Sequence, residues 1–333
     1  MFSKFGEAFG ILMRTTPYVI LRLLVYGAMG IGAGIYLAIF IFLAKVFGGF
    51  GSILFIIALA GLFGLLKLVK QYVLYLINAG HIAVITELVT KGRLPDGVNQ
   101  VEYGKQVVMS LFKEVSVLFV VDQLVDGIVK GFNRTVVRVA DLLPIPGLDS
   151  IAKIINSIIY FSVTFVDETI LSYNLSRKEH NIWENAKRGV VLYAQNWKPI
   201  LMGGIGIAIV NFIGAILCIG IMMIPFGLIG LMSGNETVKT IMLVLAITTG
   251  FGLKQSFVNP LCLISMILTF RSAVAQQEPN LEWESRLEQM SNKFVELKNK
   301  ARDAVRSTGT PAADPGFPSD SGPTPPPPGE SPA

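Results

Sequence analysis

The sequence predicts an all-α, polytopic helical membrane protein with four to six transmembrane helices and amphipathic interfacial helices. Three observations predict this fold class. The chain has 333 residues, of which 52% are hydrophobic and only 15% charged, whereas a soluble domain carries about 25% charged residues. The apolar residues occur in long uncharged runs, which suit a hydrocarbon core about 30 Å thick. The net charge of +5 is typical of Lys and Arg at the cytoplasmic ends of spans.

Two uncharged runs near the N-terminus predict a first transmembrane hairpin. The first run holds 22 residues between Arg22 and Lys45, and the second holds 21 residues between Lys45 and Lys67. Each is long enough to cross the bilayer as a helix. Basic residues flank the pair on both outer sides, so the positive-inside rule places those flanks in the cytoplasm. We therefore expect a cytoplasmic amphipathic N-terminus over residues 1–22 and a hairpin over residues 23–66.

A second group of spans is predicted within residues 199–270. No charge occurs from Pro199 to Asn235, and this run is too long for one straight span. Pro225 and several glycines predict a span that ends near residue 222, followed by a turn or a partly inserted segment.

The last apolar segment, Thr240 to Phe270, carries a single charge, Lys254. It ends the predicted transmembrane domain, residues 23–275. Five basic residues lie between positions 177 and 198, which marks that stretch as cytoplasmic. Both chain termini are therefore expected in the cytoplasm, with a plasma or bacterial inner membrane as the default location.

The middle of the chain, residues 105–175, is ambiguous. Val107–Asp141 and Ile151–Leu175 are apolar but interrupted by charges. Because both flanks of this region are predicted to be cytoplasmic, the number of crossings within it must be even. No crossing gives four spans and two crossings give six. Six is slightly favoured, with one crossing broken or re-entrant.

Two further helices are predicted outside the spans. Between residues 177 and 198, apolar residues recur at helical spacing opposite a charged side, which predicts a helix in the headgroup layer. Residues 276–306 predict a charged cytoplasmic helix with a heptad stripe from Trp283 to Ala304. That stripe either packs back on its own domain or joins two copies through positions 283–304. Residues 307–333 are rich in proline and predicted to be disordered.

Motifs of catalysis are absent from the sequence, so we expect no enzyme activity. Cys218 and Cys262 lie in apolar runs without disulfide or zinc spacing, and His81 and His180 have no ligand cluster around them. No metal, catalytic residue or cofactor is therefore predicted. The chain also lacks the basic stripes with aromatic residues that bind nucleic acid. Its expected partners are the lipid bilayer and a small molecule.

Charged residues inside apolar segments are the strongest functional signal. Ionisable groups at membrane depth are costly, and they usually face the bundle interior or a water-filled cavity. The hypothesis is that four acids line a polar cavity for a cation, near Tyr160 and Lys254. The glycines that flank Lys254, together with Pro260, predict a broken helix there. The acids are Asp122, Asp126, Asp167 and Glu168. Alternatively, Lys254 pairs with Asp167 or Glu168, or the acids point to water at the interface.

Two stretches resemble the choline transporter-like family. EYGKQVVMSLFKEVSVLFVVDQLVDGIVKGF, with Lys113-Glu114, Asp122 and Asp126, resembles the later part of that family, and SVTFVDETILSYNL resembles its span with a central Asp, here Asp167. The resemblance implies a membrane carrier for choline or a similar organic cation. Tyr160, Phe161 and Tyr173 could supply the aromatic faces that quaternary ammonium recognition requires. The rival prediction is a non-transporting scaffold that acts through its C-terminal helix and tail.

Overall fold

The computed structural model describes residues 2–111, 115–141, 164–177 and 181–307, and these residues form helices and no strand. The all-α prediction is confirmed. A 3-10 turn, Gly48–Phe50, precedes α3, and a π-helical turn, Lys70–Leu74, joins α3 to α4. The helices are α1 (Phe2–Arg14), α2 (Thr16–Val46), α3 (Gly51–Val69), α4 (Tyr75–Lys91), α5 (Gln100–Leu111), α6 (Val115–Asp141), α7 (Val166–Ser176), α8 (Ile182–Gln195), α9 (Trp197–Met232), α10 (Glu236–Ala273), α11 (Leu281–Met290) and α12 (Asn292–Ser307).

Four helical segments of the described chain are long and apolar enough to cross a membrane. They are Thr16–Val46, Gly48–Lys91, Trp197–Met232 and Val238–Ala273. Large apolar side chains such as Phe42, Phe63 and Phe212 remain exposed along them. Exposing such area to water costs roughly 25 cal/mol per Å², whereas lipid covers it at no such cost. The protein is therefore an integral membrane protein.

The spans form two antiparallel hairpins whose turns lie on the same side. Gly51 in the first turn packs so closely on the Ala44 carbonyl that a Cβ there would overlap it, and Gly234 in the second turn has φ +59. The hairpins pack through α2 and α10, with Tyr26 beside Gly252. Arg271 near the end of α10 donates to Thr90 near the end of α4, and Phe9 of α1 contacts Phe257 of α10. The ends opposite the two turns therefore meet, which places both turns on one side. We call that side the tip and the opposite side the base.

The remaining helices form a compact layer at the base. α4 packs against α5 and α7, and α8 packs against α7 and α12. Asn181 caps α8 by accepting from the backbone N–H groups of Trp183 and Glu184, at 3.2 and 3.0 Å. Fully buried side chains from five of these helices, α4, α6, α7, α8 and α12, share one core: Ile82, Ile85, Leu118, Ile128, Ile170, Leu192 and Phe294.

The N-terminal residues predicted as one cytoplasmic segment, 1–22, divide between two helices. α1 ends at Arg14 and α2 already begins at Thr16. Ala8, Ile11 and Leu12 of α1 are buried, and α1 packs against α10. The apolar side of α1 therefore packs against protein.

Two predicted helix breaks are wrong. α9 runs without interruption from Trp197 to Met232 through Pro225, and α10 runs through Pro260. A proline removes one intrahelical hydrogen bond. Ending the helix inside the bilayer would leave several backbone groups without partners, which costs more. The turn expected near residue 222 therefore does not form. The break expected beside Lys254 is also absent from α10.

The described residues supply four spans, and the preference for six spans stays a prediction because residues 142–163 lie outside the described residues. α6 carries charges along its length and buries Leu118, Val125 and Ile128 in the base core. α7 has 11 residues, too few to cross a hydrocarbon core that needs about 20. Neither helix is among the four apolar segments. Residues 151–163 of the second ambiguous segment lie outside the described residues.

The helix predicted for the headgroup layer exists as α8, but its apolar stripe faces protein. Ala186, Val190 and Tyr193 are buried in the base core. The Tyr193 hydroxyl donates to Asn133 Oδ1 at 2.7 Å. Sequence periodicity identifies an apolar face but does not say whether lipid or protein covers it, and here other helices cover it.

The C-terminal heptad stripe packs back on its own domain, which is the first of the two alternatives. The predicted single helix is divided at Ser291 into α11 and α12. Leu287, Phe294, Leu297 and Ala301 are buried in the base core, so these positions are already covered within one chain. The tail predicted to be disordered, 307–333, lies outside the described residues from position 308 onward.

Candidate functional site

A polar cavity of about 910 Å³ lies where the two hairpins meet the base. It is lined by residues of both hairpins and of α6 and α7. From the hairpins come Arg22, Tyr26, Lys67, Lys70, Gln71, Leu74, Tyr75, Asn78, Asn211, Phe251, Lys254, Gln255, Asn259 and Leu263, and from the base come Phe119, Asp126, Lys130, Thr164, Phe165 and Glu168.

The lysines of the cavity lie far from the tip along the spans. Lys67 is 16 positions after Gly51, the first residue of α3, and Lys254 is 18 positions after Glu236, the first residue of α10. At 1.5 Å per residue, these side chains lie about 24 and 27 Å from the tip. A hydrocarbon core is about 30 Å thick. With the tip placed at one limit of this core, the lysines of the cavity lie where the acyl chains of the other leaflet give way to head groups.

A buried arginine is held rigidly at one wall. Arg22 is 8% exposed. Its Nη2 donates to Asn78 Oδ1 at 2.6 Å and lies 3.1 Å from His81 Nδ1. His81 is in turn stacked on Tyr18, with ring centroids 4.8 Å apart. The Arg22 Nε atom is buried without a hydrogen-bond partner among the described protein groups, so this guanidinium retains a donor for another acceptor.

Three lysines add positive charge without paired acids. Within the described ranges, Lys67, Lys70 and Lys254 form no ion pair, whereas Asp126 pairs with Lys130 at 2.7 Å. Lys70 opens the π-helical turn, and such turns are frequent at functional sites. The cavity is therefore net positive.

One acid, Glu168, faces this positive wall. Its Oε2 atom is buried and has no hydrogen-bond partner among the described protein groups. Burial, followed by the charge of the adjacent Asp167, raises the pKa of the Glu168 carboxyl well above its ordinary value. Glu168 also interacts electrostatically with Arg22. A solute cation that reached Glu168 would favour its ionised form.

Asp122 and Asp167 face a separate, much smaller space. They line a pocket of about 10 Å³ between α6, α7 and α8, with Asn174 and apolar neighbours. Burial and the nearby Asp167 raise the pKa of Asp122 to about 8, and burial raises the pKa of Asp167 as well. A space of this size admits about one water molecule, so it is too small for an organic solute.

Amides and aromatic rings complete the large cavity. Asn211 Oδ1 and Asn259 Oδ1 are buried acceptors without partners among the described protein groups. The rings of Tyr75 and Phe119 meet edge to face at 5.8 Å, and the Phe251 ring lies under the Lys254 ammonium at 6.0 Å. Ring faces can bind a ligand cation, and the orphan acceptors can receive its N–H or O–H donors.

The structure separates the six residues predicted from sequence into three groups. Asp126, Glu168 and Lys254 line the large cavity, whereas Asp122 and Asp167 line the small pocket. Tyr160 lies outside the described residues. Within the described chain, no ion pair joins Lys254 to Asp167 or Glu168, so that alternative for Lys254 is not observed.

Sequence reasoning missed the basic side of the site. It treated Arg22, Lys67 and Lys70 only as topological flanks, and it did not single out Asn78. One signal was present, because Arg22 and Asn78 each interrupt an otherwise apolar stretch. That signal does not show that the two side chains meet, although they are 56 positions apart in the sequence.

Comparison of the chain with protein-family models, with curated proteins and with solved structures finds no match in any of the three. The functional argument therefore depends on the site itself.

Proposed function

We propose that this integral membrane protein is a carrier for a zwitterionic solute, which binds in the cavity between the hairpins with its anionic group at Arg22 and the lysines and its ammonium group at Glu168. The observation that carries the proposal is the cavity's composition. Four cations that form no ion pair among the described residues, Arg22, Lys67, Lys70 and Lys254, line it with aromatic rings and with Glu168, whose Oε2 has no partner among the described groups. The second acid, Asp126, is paired with Lys130. Charged groups of both signs in one site match a ligand with both signs.

Free choline fits this cavity less well than a zwitterion. The resemblance to the choline transporter-like family suggested an organic cation, and Glu168 with the Tyr75 and Phe251 rings supports an ammonium subsite. Arg22, Lys67, Lys70 and Lys254 would repel a bare monovalent cation. An added carboxylate or phosphate would turn that repulsion into attraction.

The base is proposed to face the cytoplasm. Basic residues are concentrated at this end of the spans, among them Arg14, Lys67, Lys198 and Arg271, whereas Lys45 and Lys239 lie near the tip. The positive-inside rule then places the base, α1 and α12 in the cytoplasm. Cysteine labelling from each side of sealed vesicles tests this orientation.

Equilibrium binding of three solutes that share a trimethylammonium group tests the carrier proposal. Choline has no anion, betaine adds a carboxylate and phosphocholine adds a phosphate. We expect both zwitterions to bind at least tenfold more tightly than choline, and the better binder to show saturable uptake into proteoliposomes. Choline binding as tight as the zwitterions, or no binding of any solute to folded protein, would refute the proposal.

Matched variants locate the binding site. Glu168→Gln removes the charge proposed to bind the ammonium group. It should lower affinity for the zwitterions by about tenfold, which corresponds to about 1.4 kcal/mol of binding free energy. Glu236→Gln at the tip, where Glu236 pairs with Lys239 at 2.6 Å, should leave affinity unchanged. Equal effects of the two substitutions would show that charge in general, and not the cavity, governs binding.

The scaffold alternative is tested by the tail. Deleting residues 278–333 would remove Leu287, Phe294 and Leu297 from the base core and so confound folding with partner binding. Deleting only residues 308–333 leaves every described helix intact. A carrier should retain uptake after this deletion, and a scaffold that acts through the tail should lose its partner.

A further inference from the structure

The depth of the cavity constrains what kind of zwitterion can reach it. Lys67 and Lys254 lie about 24 and 27 Å from the tip, close to the base-side limit of a hydrocarbon core of about 30 Å. Phospholipid phosphates lie just beyond that limit. A phosphate from the base-side leaflet would therefore already be at the height of Arg22, Lys67 and Lys70 without crossing the membrane.

The described helices leave a lateral way in. The hairpins are joined by packing of α2 against α10, and no extensive packing joins α3 to α9 among the described residues. Lys67 and Lys70 are exposed on the α3 side of the cavity, and Asn211 lines it from α9. Next to Asn211, the Phe212 side chain is 68% exposed. Acyl chains could follow these apolar surfaces while the head group enters between them.

We propose that the zwitterion is the head group of a phospholipid, whose phosphate is bound by Arg22, Lys67, Lys70 and Lys254 and whose acyl chains lie between α3 and α9. This inference rests on the proposed function and names its substrate class. The Arg22 Nε donor, which has no partner among the described protein groups, is available for a phosphate oxygen, and lysine ammonium groups add point charges. The volume of about 910 Å³ accommodates a head group together with water.

Binding of a matched set of ligands to the full chain in detergent tests this proposal. Dihexanoylphosphatidylcholine has the head group and short chains, glycerophosphocholine has the same phosphate and ammonium groups without chains, and dihexanoylglycerol has chains without the head group. We expect the phospholipid to bind at least tenfold more tightly than glycerophosphocholine and the diacylglycerol not to compete. The double variant Lys67→Ala, Lys70→Ala should lose at least tenfold in phospholipid affinity, whereas Lys45→Ala near the tip should lose none.

The possible results separate this inference from the proposed function. Equal affinity for glycerophosphocholine and the phospholipid would overturn the lipid assignment and leave a soluble zwitterion as the substrate. Phospholipid binding that is unchanged in the double variant would also overturn it, because micelle partitioning would then explain the signal. Failure of both phosphate-bearing ligands to bind would overturn the lipid assignment and the proposed zwitterion site together. Circular dichroism of each variant confirms that the helices have formed.

Discussion

The acid cluster of α6 and α7 predicts an unusual dependence of stability on pH. Burial and neighbouring acids raise the pKa of Asp122 to about 8 and raise those of Asp167 and Glu168. In the unfolded chain these carboxyls return to ordinary values near 4. Between about pH 4 and pH 8 the folded state therefore holds protons that the unfolded state has released. The contribution of these carboxyls to the free energy of unfolding is therefore largest below pH 4, and it falls as pH rises toward 8.

The magnitude follows from the number of protons bound. One carboxyl protonated in the folded state and ionised in the unfolded state lowers the free energy of unfolding by about 1.4 kcal/mol for each pH unit of increase. Lys130 opposes the shift at Asp122, and Asp126 reinforces it. We therefore expect Asp122 alone to give a slope of up to this size between about pH 5 and pH 7.5.

Urea unfolding in detergent at half-unit pH steps measures this slope. Trp183 and Trp283 lie in the base helices α8 and α11 and supply the fluorescence signal. Asp122→Asn should make the slope less negative by up to about 1.4 kcal/mol per pH unit, whereas Asp96→Asn on an exposed loop should leave it unchanged. A free energy of unfolding that is flat or rises between pH 5 and pH 7.5, with no effect of Asp122→Asn, would refute the reasoning.

Two further predictions concern packing in the base, each measured by urea unfolding. Phe294→Ala removes a fully buried ring and should lower the free energy of unfolding by about 3–5 kcal/mol, whereas Val305→Ala at an exposed position should change it by less than about 0.5 kcal/mol; equal effects would contradict the assignment of the heptad stripe to the core. Gly104→Ala would place a Cβ against the Gly80 backbone and should cost about 1–3 kcal/mol. Gly131→Ala in open space should be neutral or stabilising by up to about 1 kcal/mol, so a loss there equal to that at Gly104 would contradict the close approach of α4 and α5.

The spans could be predicted from sequence because their signal is local. An uncharged run must be buried in lipid or protein wherever it folds, so the runs on either side of Lys45 identify two helices without any knowledge of the rest. The helix break predicted at Pro225 is wrong because the free-energy cost of a proline in a helix depends on what the chain would form in place of the helix. A proline ends a helix in water, where water can satisfy the freed backbone groups, but the bilayer offers no such partner.

The basic wall of the cavity could not be predicted in the same way. Arg22 and Lys67 carry a topological signal that is sufficient to explain their presence, so nothing in the linear pattern calls for a second role. Their convergence with Lys254 depends on how the two hairpins pack, and that packing is determined by contacts such as Tyr26 with Gly252. Pairings between residues so far apart in the chain leave no periodic trace.

The adjacent acids Asp167 and Glu168 show how one short helix can serve two spaces. Successive residues of an α-helix point about 100° apart, so α7 directs Asp167 into the small pocket with Asp122 and Glu168 into the large cavity. The Asp167 and Glu168 carboxyls share a side-chain hydrogen bond, and the charge of Asp167 raises the pKa of Glu168, so the two sites are coupled directly at these acids. If the ammonium group of the proposed ligand binds at Glu168, it favours the ionised form of Glu168. The negative charge on Glu168 then favours protonation of Asp167. Occupancy of the cavity would in this way change the protonation of the base core, which is where the helices α6, α7 and α8 meet.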